Sequence, residues 1–174
     1  MKTILLLRHA KSDWSDPTLA DFDRPLAKRG LKDAPLMGDV LDQFEHGPDM
    51  ILSSPAKRAR ETAELVAESC GYTRPIQWEE PFYGGDSHDL ITALQHLPAT
   101  IERPLLVGHN PTMEETAADL LTLPEGECNG TLALRMPTAA LVCIAADIED
   151  WTDLRPGDCI LRWFLIPKLV KAIW

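Results

Sequence analysis

With 174 residues, 45% of them hydrophobic and 25% charged, the chain has the size and balance of one globular unit able to bury a core. Its 27 acidic against 17 basic residues, net charge −10, exclude a surface that coats a nucleic-acid backbone with clustered Lys and Arg. A few local cations could still hold a small anion.

The chain opens MKTILLLRHA, whose apolar run Thr3–Leu7 stops at Arg8. It is too short for the apolar region of a signal peptide, and no later segment approaches transmembrane length. Cys70, Cys128, Cys143 and Cys159 form no C-x-x-C pair, so they read as reduced thiols rather than as disulfides or a zinc site. The expectation is a cytoplasmic chain with no membrane partner.

Thr3–Leu7 reads as a strand buried on both faces. A polar, turn-rich loop spans Asp13–Arg24. Helical spacing runs from Leu26 to Phe44, with Gly47-Pro48 as a stop. Met50–Ser53 is a short strand, and Pro55–Cys70 a helix closed by Gly71. Pro75–Trp78 and Leu105–Val107 are further strands; Ser87–Leu97 and Thr112–Leu121 are helices. Thr131–Met136, Ala139–Ala145 and Cys159–Ile166 then follow as strands without obvious helices between them, which favours antiparallel pairing. The pattern predicts an α/β three-layer sandwich: a mostly parallel central sheet, helices on both faces, and antiparallel strands toward the C-terminus. No repeat or linker interrupts residues 1–174, so a single domain is expected.

In such sheets ligands bind at the carboxyl ends of the parallel strands. Three segments put unusual residues there: Arg8-His9, Ser53-Ser54-Pro55 with Arg58 one turn later, and Gly108-His109-Asn110-Pro111. If the strands are neighbours, two imidazoles and two guanidiniums converge. That set suits a phosphoryl group, because arginine offers a rigid, permanently charged fork of donors. A neutral imidazole can attack phosphorus and form a phosphohistidine that water later hydrolyses. Neighbouring arginines favour the neutral form. Asn110-Pro111 reads as an N-cap followed by proline at the first helical position, a further anion-binding feature. Spacing alone leaves open which histidine attacks. Each residue singly has a plainer reading, as a solvated strand end, a wet helix face or a helix start; three such segments at one edge outweigh it.

LLLRHAKS, SSPAKRARETA and LLVGHNP resemble, in order, the three signature blocks of the histidine phosphatase superfamily, the phosphoglycerate mutase-like fold, over Thr3 to about Leu121. RHAKSDW, DRPLAKRG and the compact length resemble its SixA-type phosphohistidine phosphatase branch. The resemblance implies a phosphatase with His9 as nucleophile, Arg8, Arg58 and His109 around the phosphate, and neither metal nor other cofactor. The larger branches carry a general acid in a block similar to Glu80-Pro81-Phe82-Tyr83-Gly84-Gly85, which makes Glu80 a candidate acid; a plain loop carboxylate is the equal alternative. Asp21 and Asp23 are rival carboxylates. Ser12 is a candidate phosphate contact, whereas Lys11 reads as solvated. His46, His88 and His96 receive no role.

The expected partner is a phosphorylated protein or a small phosphorylated molecule; the sequence does not specify the oligomeric state. A phosphoglycerate mutase-like activity or a broad phosphomonoesterase is the nearest alternative, although no long insertion serves as the lid a mutase needs. A non-catalytic phosphate-binding module is the alternative of a different class, and it would need no nucleophile. A metal hydrolase fits least, since no H-E-x-x-H spacing occurs and the arginines would repel a cation.

Overall fold

The computed structural model describes residues 1–44, 46–121 and 134–174. Its described strands form one six-stranded sheet. They are β1 (Lys2–Arg8), β2 (Met50–Ser53), β3 (Gln77–Trp78), β4 (Pro104–Gly108), β5 (Leu141–Ala146) and β6 (Cys159–Leu165), in the order β3-β2-β4-β1-β5-β6. The first four run parallel; β5 pairs antiparallel with β1, and β6 antiparallel with β5. This is the mostly parallel sheet with antiparallel C-terminal strands that the pattern predicted. Thr131–Met136 departs from it. Its last three residues belong to an irregular segment, and residues 131–133 lie outside the described residues.

Side-chain alternation along β1 explains why the run is apolar throughout. Ile4 and Leu6 join a core on one face with Leu106, Val142 and Ile144. Leu5 and Leu7 join a second core on the other face with Leu105, Val107 and Cys143. The four β1 side chains are fully buried, and each contributes roughly 1.5–3 kcal/mol relative to exposure.

Helices α1 (Gly30–Gln43) and α2 (Lys57–Ser69) cover the second core, while α3 (Pro81–Gly84), α4 (Ser87–Gln95) and α5 (Thr112–Leu120) lie toward the first. Gly71, at φ +70°, ends α2 in the left-handed conformation that glycine adopts most cheaply. The short α3 and the terminal α6 (Pro167–Ile173) have too few turns to show a period in sequence.

Asn110 is not the N-cap of α5. Pro111 occupies that position, after a cis Asn110-Pro111 bond, and the Asn110 amide donates instead to Glu114 Oε1 at 2.7 Å and to the Met136 carbonyl at 3.0 Å. The side chain thus pairs with a side chain of its own helix and with a carbonyl from a distant segment, not with the free N–H groups at the helix start.

Gly30 matters for the site. A β-carbon there would lie 2.3 Å from the Lys11 carbonyl oxygen, so only glycine lets α1 start against the loop that follows His9. Ala27 N–H donates to that same carbonyl at 2.8 Å.

Cys70, Cys143 and Cys159 are buried free thiols, and burial pushes the last two up to about 11; Cys128 lies outside the described residues. Among the described residues no helix is long and apolar enough to cross a membrane.

Candidate active site

Strands β2, β4 and β1 are adjacent and parallel, so their carboxyl ends share one edge of the sheet. Arg8 pairs with Gly108, which makes His9 and His109 the next residues out of neighbouring strands. Main-chain bonds continue one step beyond the ladder: His9 N–H donates to the Gly108 carbonyl at 2.9 Å, and Ser54 N–H to the Val107 carbonyl at 3.0 Å. The two imidazole centroids stand 4.9 Å apart, with planes inclined at 53°. Both side chains are buried.

Arg58 enters from the first turn of α2. Its Nε–H donates to His9 Nε2 at 3.3 Å. The chain is tied here by Thr62, whose hydroxyl donates to the Arg58 carbonyl at 2.6 Å and accepts from Ala10 N–H at 3.0 Å. Helix α2 and the loop after β1 are thereby held in one register.

The hydrogen bonds around His9 define its protonation. Nδ1 lies 2.7 Å from the Ala10 carbonyl oxygen, which can only accept, so the neutral ring carries its proton on Nδ1. The lone pair is then on Nε2, facing Arg58. Burial, helped by Arg58 and Arg8, pulls the imidazole down to about 4 against the Ala10 hydrogen bond. His109 falls to about 3 through burial, then through His9 and Arg58. Both rings are neutral near pH 7. His109 Nε2 meets Ser54 Oγ at 2.9 Å, and its Nδ1 is buried without a hydrogen-bond partner among the described residues.

Arg8 reaches the same neighbourhood by another route. Its Nη1 donates to the Met136 carbonyl at 2.7 Å, leaving Nε buried and free of hydrogen bonds among the described residues. Glu114 braces that segment by accepting from Met136 N–H at 2.7 Å.

The structure thus brings Arg8, His9, Arg58 and His109 together, as the strand-end reasoning expects. Glu80 and Ser12 make no hydrogen bond to these four among the described residues. Glu80 is exposed at the N-terminus of α3, and among the described residues its carboxylate makes no hydrogen bond or ion pair. Ser12 is buried, and its Oγ accepts from Trp14 Nε1 at 3.0 Å.

Sequence reasoning missed the brace around Arg58. The Asp21 carbonyl accepts from Nη1 at 2.6 Å and its carboxylate from Nη2 at 3.0 Å. Tyr83 Oη donates to the same carboxylate at 3.1 Å, and the Tyr83 ring stands edge-on to His109 at 5.7 Å. Burial favours the neutral acid at Asp21, yet Arg58, Tyr83 and Arg24 outweigh it and hold the carboxyl below its usual range. Asp21 is therefore an ionised clamp rather than a proton donor at neutral pH. Arg24 stacks on the exposed Trp14 ring at 4.0 Å, with Nε 3.7 Å from Asp21. Asp21 stood in the first long loop as a rival carboxylate, Arg24 in DRPLAKRG and Tyr83 in the Glu80 block, but Arg58 and Tyr83 lie far from Asp21 in sequence and no periodicity announces the contact.

Among known proteins, the model of the histidine phosphatase superfamily (branch 1) matches residues 4–82. An uncharacterized protein of Mycobacterium tuberculosis is 30% identical over 164 residues, covering 93% of this chain and 100% of the relative. A crystal structure assigned provisionally as the phosphohistidine phosphatase SixA of Agrobacterium tumefaciens superposes with TM-score 0.78 at 29% identity, over 95% of this chain and 98% of the other. The protein histidine phosphatase SixA complexed with tungstate shares the fold, with TM-score 0.80 at 21% identity over 97% and 99% of the two chains. With two arginines and two neutral imidazoles gathered at the strand ends, and a relative matched over its whole length, the chain belongs to the histidine phosphatase superfamily, in its SixA-type branch.

Proposed function

We propose that this phosphatase works through a covalent phosphohistidine on His9 and that its substrate is a phosphoramidate, phosphohistidine in a protein being the leading case. One observation carries the reading: His9 is locked with its proton on Nδ1 and its lone pair on Nε2, against the Arg58 guanidinium. The Nε2 lone pair attacks phosphorus as the bond to the leaving nitrogen breaks. Arg8, Arg58 and His109 take the charge that builds on the phosphoryl oxygens. Water then attacks the phosphorus of phospho-His9, the P–Nε2 bond breaks, and the lone pair returns to the ring. The donor set is built for an anion, so no step calls for a metal.

The choice of substrate rests on proton supply. A phosphomonoester leaves as an alkoxide, which needs a general acid. Asp21 is ionised by Arg58, and Glu80 has no partner tying it to the cluster. A phosphorylated imidazole protonated on its second nitrogen leaves as neutral imidazole and asks for no such acid. Ser12 remains a phosphate contact only by way of the loop that follows His9.

Rapid quenching with a radiolabelled phosphoramidate or phosphohistidine protein is expected to trap an acid-labile, base-stable phosphoryl group on His9. His9→Ala should lose roughly 10⁴-fold or more in turnover, the scale for removing a covalent nucleophile. Undiminished turnover in that variant, or loss of activity on chelation, refutes the mechanism. Glu80→Gln should leave phosphoramidate turnover unchanged, and a selective loss on a phosphomonoester would assign Glu80 the acid role.

A further inference from the structure

The two imidazoles stand in one pocket but meet opposite chemistry on their hydrogen-bonded nitrogens. His9 Nδ1 faces a carbonyl, which can only accept. His109 Nε2 faces the Ser54 hydroxyl at 2.9 Å, which can donate or accept. The rest of the Ser54 environment decides between the two. Its Oγ already accepts from Ala56 N–H at 3.3 Å, and among the described residues its proton has no acceptor other than His109 Nε2. Ser54 is fully buried, so water does not compete for that proton. The arrangement that leaves the Ser54 hydroxyl fully paired has its O–H donating to Nε2.

We infer that Ser54 is a positioning residue that fixes His109 in its Nδ1–H form, so that the neutral ring presents a hydrogen-bond donor rather than a lone pair to the phosphoryl group. The inference rests on the phosphatase reading above for the identity of that acceptor, but not for the tautomer. His109 Nδ1 is buried and unpartnered among the described residues, and a buried polar atom of this kind calls for a partner that arrives with the substrate. Two histidines in the same tautomer thus acquire opposite roles. His9 offers the electron pair on Nε2, and His109 the N–H on Nδ1. Burial and the nearby cations keep His109 neutral, so its tautomer rather than its charge decides whether it can donate.

The test reads the tautomer directly. In the free wild-type protein, ¹⁵N-histidine NMR at neutral pH should give His109 a pyrrole-type Nδ1 and a pyridine-type Nε2. A pyrrole-type Nε2 overturns the inference. In Ser54→Ala the pattern should move toward the other tautomer, with kcat/KM falling roughly 10- to 100-fold, as for loss of a group that orients an imidazole ring. Ser54→Thr, which keeps the hydroxyl, should retain the wild-type tautomer. An unchanged tautomer in Ser54→Ala also overturns the inference. Because the signature is read without substrate, failure of all turnover would refute the phosphatase reading while the spectrum still decides the part played by Ser54.

Discussion

The parallel and antiparallel halves of the sheet contribute to the candidate site in different ways. On the parallel side, β1, β2 and β4 all run toward the site, and each delivers polar side chains as it leaves the core: Arg8-His9, Ser53-Ser54 and Gly108-His109. On the antiparallel side, β5 begins at the site and runs away from it, with Leu141 opposite Leu7. What precedes β5 supplies backbone. The Met136 carbonyl holds Arg8, Ala139 N–H reaches the Arg8 and His9 carbonyls, and Ala140 accepts from Arg8 N–H. Strand direction therefore separates the two jobs. Parallel ends provide chemistry, and the antiparallel start provides a brace.

That contrast can be broken most severely from the parallel side. Arg58→Lys removes the fork that meets His9 Nε2 and Asp21 together, and a lysine ammonium cannot reproduce it. Steady-state kinetics should show a loss of roughly 10²–10³ in kcat, the scale for one donor to a developing oxyanion. A loss under about threefold would show that charge alone suffices there.

The next effect concerns pH and separates stability from chemistry. His9 and His109 have folded values of about 4 and about 3, below the ordinary histidine value of about 6.5. Depressed values mean that the unfolded chain takes up protons first as the pH falls. The stability present above about 6.5 is therefore lost progressively toward pH 4 and then 3, by an amount on the order of a few kcal/mol. Thermal melts from pH 7 to pH 4 should show this decline, and it should be shallower in His109→Gln. An equally steep decline in that variant would assign the loss to other groups.

The smallest effect comes from the brace. Glu114→Ala removes the acceptor for Met136 N–H and one acceptor of Asn110. It should cost about 1–3 kcal/mol for the buried donors left unpaired. KM should rise several-fold as Arg8 loosens, with kcat nearly unchanged. A collapse of kcat on the scale of Arg58→Lys would show that the antiparallel side shares in the chemistry.

Much of this was legible in the residues, for identifiable reasons. The Thr3–Leu7 run is apolar on both faces because both faces are covered, so a buried parallel-type strand was readable without coordinates. Helix periods over α1, α2, α4 and α5 were readable because each has an apolar face turned toward the sheet. The opposite error at Asn110 has the same root. Local capping rules consider only the free N–H groups of the first turn, whereas the Asn110 amide is taken by the Glu114 carboxylate and by the distant Met136 carbonyl.

By itself the sequence determined the strand–helix order and the residue types that stand where the buried strands surface, because burial and period act over a few neighbouring residues. Tertiary structure alone decided which of those residues meet. It placed β1 between β4 and β5, set the two imidazoles 4.9 Å apart, and put Asp21 on Arg58 and Ser54 on His109. Those contacts join residues far apart in the chain, and their hydrogen bonds, not the residue names, decide which nitrogen holds a proton and which holds a lone pair.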